Sequence, residues 1–131
     1  MTGPFTFGKK ERLSHRADIE RLFNEGRSFS LPPFRVFYIM GTNPDAAPVR
    51  ILIAVPKKKY KRAVDRNKLK RMIREAYRLN KAFIAEPVKS QCLHVGFVYT
   101  AQGSIPDFTE IESKMKSCLE KLLLKYPGMD A

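Results

Sequence analysis

The chain has 131 residues, 44% of them hydrophobic, which fits one domain around a single core. Its 25 Lys and Arg residues against 13 Asp and Glu leave a net charge of +12, which points to a polyanionic partner. Apolar runs reach only about five residues, around Ile51 to Val55, against the ~20 needed to span a bilayer. Met1 to Lys10 has no apolar run like that of a signal peptide, so a cytoplasmic protein is expected, with this first stretch mobile. Cys92 and Cys118 are too few for a disulfide scaffold and read as small buried thiols.

Ser14 is a candidate N-cap for a first helix running to about Asn24, with Ile19, Leu22 and Phe23 as its apolar stripe and Gly26 as its stop. A short strand is expected near Ser28, and Phe34 to Met40, aromatic and β-branched, reads as a longer one. Gly41 to Pro48 reads as a turn or short loop. Arg50 to Val55 is apolar on both faces and is expected in the middle of the sheet, with Pro56 ending it. A helix follows from about Ala63 to Phe83, with Pro87 beyond it. Leu93 to Thr100 is another strand: Leu93, Val95, Phe97 and Tyr99 share one face, and His94, Gly96 and Val98 the other. The last helix spans about Phe108 to Lys125, capped by Asp107 and followed by Pro127-Gly128. Its apolar side is Ile111, Met115, Cys118, Leu119 and Leu122. The order α-β-β-(β)-α-β-α predicts an α+β fold, a two-layer α-β sandwich forming one domain over residues 1–131.

Charge is concentrated in one place. Lys57 to Lys81 holds 12 Lys and Arg and two acids, Asp65 and Glu75, while the other 106 residues hold 13 bases and 11 acids. On a helical projection Arg66, Asn67, Lys70, Arg71, Arg74, Arg78 and Lys81 fall in an arc of about 140°. Leu69, Met72, Ile73, Ala76 and Leu79 lie roughly opposite, and Lys68 and Glu75 sit together at one border. A solvated helix face normally mixes charge signs at i, i+4, whereas Arg66-Lys70-Arg74-Arg78 repel one another along the helix. Such a face is suited to phosphates, and arginine forks bind their oxygens two at a time. Upstream, Lys57, Lys58, Lys59, Lys61 and Arg62 read as a flexible cationic approach. Phe34, Phe37 and Tyr38 on the strand, with Phe5 and Phe7 near the start, are the aromatics available for stacking on unpaired bases if one sheet face is open.

An intrinsic nuclease centre is disfavoured. Two-metal phosphodiester chemistry needs clustered carboxylates, and Asp65 and Glu75 stand ten residues apart. Cys92 and His94 could reach one metal, but two ligands do not make a zinc site. A structural, ribosomal-type RNA-binding protein stays open on composition. A DNA-binding factor fits less well, because the arc is too uniformly cationic to select bases.

From Ala63 to Glu75 the sequence Ala-Val-Asp-Arg-Asn-Lys-Leu-Lys-Arg-Met-Ile-Arg-Glu resembles the signature of the bacterial ribonuclease P protein family. Arg12-Leu13, Asp18, Phe23, Gly26, and Val55 with Lys57-Lys58 fit in order, so the resemblance covers about residues 7 to 125. It implies a subunit that assists a catalytic RNA in Mg²⁺-dependent removal of the 5′ leader from precursor tRNA. The metal would be held mainly by RNA, with no catalytic group and no metal site on the polypeptide. The implied partners are the RNA subunit and precursor tRNA, with no membrane and no obligate protein partner. The implied RNA-subunit set is Arg66, Asn67, Lys68, Lys70, Arg71 and Arg74, to which the cationic arc adds Arg78, and the implied leader cleft is Phe23, Phe34 and Phe37. The resemblance also implies a mixed sheet with a left-handed β-α-β crossover at the basic helix. Lys68 replaces a usual arginine, Ile19 a common phenylalanine and Pro56 a common serine.

Overall fold

The computed structural model describes residues 11–41, 49–85 and 92–130. The expected mobile start, with Phe5 and Phe7, and most of the Gly41 to Pro48 loop lie outside the described residues, as does Pro87. The elements are α1 (Arg16–Glu25), β1 (Arg27–Leu31), β2 (Phe34–Met40), β3 (Val49–Ala54), α2 (Ala63–Asn80), α3 (Ala82–Ala85), β4 (Leu93–Tyr99) and α4 (Phe108–Asp130). The sheet order is β1-β2-β4-β3, antiparallel except for the parallel β3/β4 pair, which α2 and α3 connect. The fold is α+β with an open mixed sheet, and the strand expected near Ser28 is β1.

One sheet face is fully covered. Phe34, Val36 and Tyr38 of β2 and Leu93, Val95, Phe97 and Tyr99 of β4 are buried in one cluster with Leu69, Ile73, Ala76 and Tyr77 of α2. The predicted stripe of α4, Ile111, Met115, Cys118, Leu119 and Leu122, joins the same cluster. Burial pushes the Cys118 thiol pKa up to about 12. The opposite face carries α1 on part of its area. Gly96 of β4 permits this: a Cβ there would lie 3.0 Å from Leu22 Cδ2. At the α1–β1 junction a Cβ on Gly26 would come within 2.3 Å of the Leu22 carbonyl oxygen, so only glycine fits.

Four expectations are corrected. The apolar strand from Arg50 is β3 at the edge of the sheet, not its middle. Its outer side is partly covered by the start of the chain, where the Leu13 amide donates to the Ile51 carbonyl at 2.8 Å. Ser14 is not the cap of α1: His15 occupies that position, without a side-chain cap bond. The basic helix ends at Asn80 rather than Phe83: Lys81 keeps a helical backbone and the short α3 follows it, while the Lys81 side chain pairs with Glu11 at 2.6 Å. Finally, α4 continues through Pro127 and Gly128 to Asp130, while its start is capped as expected, the Glu110 amide donating to Asp107 Oδ1 at 3.0 Å. No helix of the described residues is long and apolar enough to cross a membrane.

Candidate nucleic-acid interface

Burial fixes which side of α2 faces outward. Leu69, Ile73, Ala76 and Tyr77 are buried, and Asn67, Lys68 and Arg71 are exposed. The solvent side is therefore centred near Arg71, and Lys68 lies on it rather than at a border. Arg66, Lys70, Arg74 and Arg78 are half-buried, and Arg66 and Lys70 share a side of the helix with the buried Tyr77. Tyr77 is absent from the predicted apolar side because the helical projection puts it between Arg66 and Lys70, inside the cationic arc. Lys81 leaves the arc altogether, its side chain 8% exposed against Glu11.

Two arginines of the predicted set also hold the fold. Arg66 Nη1 donates to the Tyr60 and Lys61 carbonyls, each at 2.8 Å, and ties the preceding turn to the helix. Arg78 Nε donates to Glu75 Oε2 at 3.0 Å, and this pairing holds the Glu75 carboxyl below the usual carboxylate range. Lys68, Lys70, Arg71 and Arg74 have no carboxylate partner among the described residues. The approach through Lys57, Lys58, Lys59, Lys61 and Arg62 is a hydrogen-bonded turn rather than a loose segment. The Lys59 and Tyr60 amides donate to the Pro56 carbonyl, and Val55 and Tyr60 anchor it by burial. Lys57, Lys58, Lys61 and Arg62 are exposed; Arg62 reaches Asp65 only at 4.0 Å, a surface contact worth little. Beside α2 an open groove of about 490 Å³ is lined by Arg71, Met72, Arg74, Glu75, Arg78 and Phe108.

The second feature is the sheet face that α1 covers incompletely. Cross-strand pairing places Ser28, Phe37, Gly96 and Leu52 in one row, and Ser30, Arg35, Val98 and Ala54 in the next. Phe23 of α1, 37% exposed, meets Phe37 edge-on with ring centroids 4.8 Å apart. Leu52, Ala54 and Val98 beyond them are only partly buried. Beside α1 this sheet face is therefore partly open, with Phe23 and Phe37 at the border of the opening. Phe34 is not part of it. It is fully buried, one residue out of phase with Phe37, and packs on Phe97 and Tyr99 in the core. The sequence reading missed Arg35, whose guanidinium lies 5.6 Å from the Phe37 ring centroid, although period-two alternation already placed the two on one face.

At the far end of this face His94 is buried, with Nδ1 lacking a hydrogen-bond partner among the described residues and Nε2 3.7 Å from Cys92 Sγ. Burial lowers its pKa; Asp18 opposes this, and Arg50 and Arg21 reinforce it. The predicted Cys92–His94 proximity is thus present. Among the described residues no group of three or more His, Cys, Asp or Glu side chains is placed to hold a metal.

Comparison with known proteins matches residues 7–123 to the family Ribonuclease P. A ribonuclease P protein component from Porphyromonas gingivalis is 38% identical over 131 residues, 98% of this chain and 96% of the relative. One from Dictyoglomus thermophilum is 41% identical over 87 residues, 66% of this chain and 69% of the relative. Among solved structures, the RNase P protein of Staphylococcus aureus superposes with a TM-score of 0.69 at 25% identity, covering 86% of this chain and 94% of its own. That of Thermotoga maritima gives 0.66 at 27% identity, covering 85% and 96%.

Proposed function

The chain belongs to the ribonuclease P protein family, and we propose that it binds the RNA subunit through α2 and the precursor-tRNA leader through the α1–sheet cleft. The family is the protein component of an endoribonuclease holoenzyme that acts in tRNA 5′ processing. The observation that carries the reading is the outward side of α2, where Asn67, Lys68 and Arg71 stand exposed, the two cations unmatched by carboxylates among the described residues. Unpaired guanidinium and ammonium groups release counterions when phosphates replace water and salt around them. Arg71 and Arg74 supply planar forks, Lys68 and Lys70 point charges, and the Lys57–Arg62 turn extends the same field.

In the cleft, Phe23 and Phe37 offer ring surface to an unpaired leader base, the usual way single-stranded RNA is held. Cleavage itself is assigned to the RNA, which holds the Mg²⁺. The polypeptide contributes affinity for the leader and screening of phosphates that otherwise repel at low metal concentration. Precursor tRNA and the RNA subunit are the proposed partners, no further protein is required, and the cytoplasm is the proposed compartment.

The test is cleavage of precursor tRNA by the cognate RNA at low Mg²⁺, with and without the protein. Stimulation that fades at high Mg²⁺ is expected. Equal rates at every Mg²⁺ concentration, or cleavage by the protein alone, would overturn the reading.

A further inference from the structure

We propose that Arg35 is a leader-binding residue, a guanidinium held on the cleft floor to take a leader phosphate beside the base that Phe23 and Phe37 receive. This rests on the leader-binding reading of the cleft and adds to it a residue outside the family signature in α2. Arg35 is exposed, yet it is fixed at two points. Its Nη2 donates to Ser28 Oγ at 3.2 Å, and its guanidinium carbon stands 5.6 Å from the Phe37 ring centroid. No carboxylate pairs with it among the described residues.

An ordinary surface arginine is loosely held and gains little from its surroundings. Here an aromatic face and a hydroxyl orient the fork while using one of its five N–H donors, so less rotamer freedom is lost when a ligand binds. Its neighbours suit RNA. Ser28 and Ser30 lie on the same face of β1, opposite Phe37 and Arg35, and their hydroxyls can meet ribose 2′-hydroxyls. Position matters as much as chemistry. Arg35 and Phe37 are two residues apart on β2, so the cation stands one side-chain step along the strand from the stacking ring. A chain running along β2 from Phe37 toward the start of the strand meets Arg35 next, with Ser28 and Ser30 of β1 at its side.

The holoenzyme reconstituted with its cognate RNA supplies the test, using precursor tRNAs with a long leader and with a leader of one nucleotide. Dissociation constants are measured for wild type, Arg35→Ala, Arg35→Lys and Phe37→Ala across a salt series. Arg35→Ala is expected to weaken long-leader binding roughly tenfold, as loss of one charge-assisted contact does. It should shrink the long-to-short affinity ratio and lower the log–log salt slope by about 0.7, the share of one single-strand phosphate. Arg35→Lys should restore the slope but not the full affinity, since it keeps the charge and loses the fork. If Arg35→Ala keeps the wild-type ratio while Phe37→Ala collapses it, the cleft binds the leader and the assignment of Arg35 is wrong. If neither changes the ratio, the leader reading fails and the proposal with it.

Discussion

Replacing Gly96 by valine perturbs the wall of the cleft from beneath. Gly96 pairs with Phe37 on one side and Leu52 on the other, directly under α1. A Cβ there sits 3.0 Å from Leu22 Cδ2 and 3.5 Å from Phe23 Cζ. For alanine, strand backbone entropy returns about 0.5–1 kcal/mol, which offsets a shift of a few tenths of an ångström in the Leu22 side chain, so little net change is expected. Valine adds two more methyl groups where Leu22 is already fully buried. Overpacking of that kind costs about 1–3 kcal/mol, and β-propensity returns at most about 1 kcal/mol. The net cost of about 1–2 kcal/mol lowers a urea midpoint by about 0.5–1 M at a slope of about 2 kcal/mol/M. As α1 lifts, Phe23 leaves Phe37 and the leader-length dependence of precursor binding should weaken. Urea unfolding and binding by the reconstituted holoenzyme measure the two effects. A valine variant with wild-type stability and wild-type leader dependence would show that α1 does not rest on Gly96 as described.

His94 makes stability pH-dependent with a fixed sign. Its folded pKa is lowered, so the folded state favours the neutral ring and the unfolded chain binds more protons. Stability is fully present above about pH 6.5 and falls, by at most about 1.4 kcal/mol per unit, as pH drops through that value toward the lower folded pKa. Urea unfolding between about pH 5 and 8 checks this, and His94→Gln should flatten the slope. Phe34→Ala should cost about 3–5 kcal/mol of stability, since the ring is fully buried, and should spare the leader dependence of the folded fraction. Phe37→Ala should do the reverse, with a small stability loss and a large loss of leader dependence. Cys118 should resist alkylation at about pH 8 in the folded protein and react once unfolded, because burial keeps its thiol protonated.

Elements set by local chemistry were legible in the sequence. Aromatic and β-branched content defined β2, alternation gave the two faces of β4, the 3.6-residue stripe defined α4, and Asp107 capped it as read. What depends on distant parts of the chain was not. An apolar strand reads as central when both faces carry hydrophobic residues. In β3, Val49 and Ile51 face the core, while Leu52 and Ala54 lie partly buried on the face that α1 covers incompletely. The end of α2 carries no glycine or proline. The chain passes through Lys81 straight into α3, and the burial of Lys81 against Glu11, 70 residues away, has no local signal. The cationic stripe was legible as a stripe, but its orientation turns on which residues the sheet buries, and Tyr77 rotated it toward Arg71. Phe34 and Phe37 look alike in sequence, and only a one-residue phase difference sends one to the core and the other to the cleft.

The outward side of α2 is tested most directly by replacing Lys68, Arg71 and Arg74 together with alanine and measuring affinity for the RNA subunit across a salt series. These three have no side-chain partner among the described residues whose loss would unfold the helix, so stability should shift by no more than about 0.5 kcal/mol. The log–log slope should fall by about 2.1 if the phosphates are single-stranded and about 2.7 if they are duplex. An unchanged slope and affinity in a folded triple variant would mean that this face does not grip RNA.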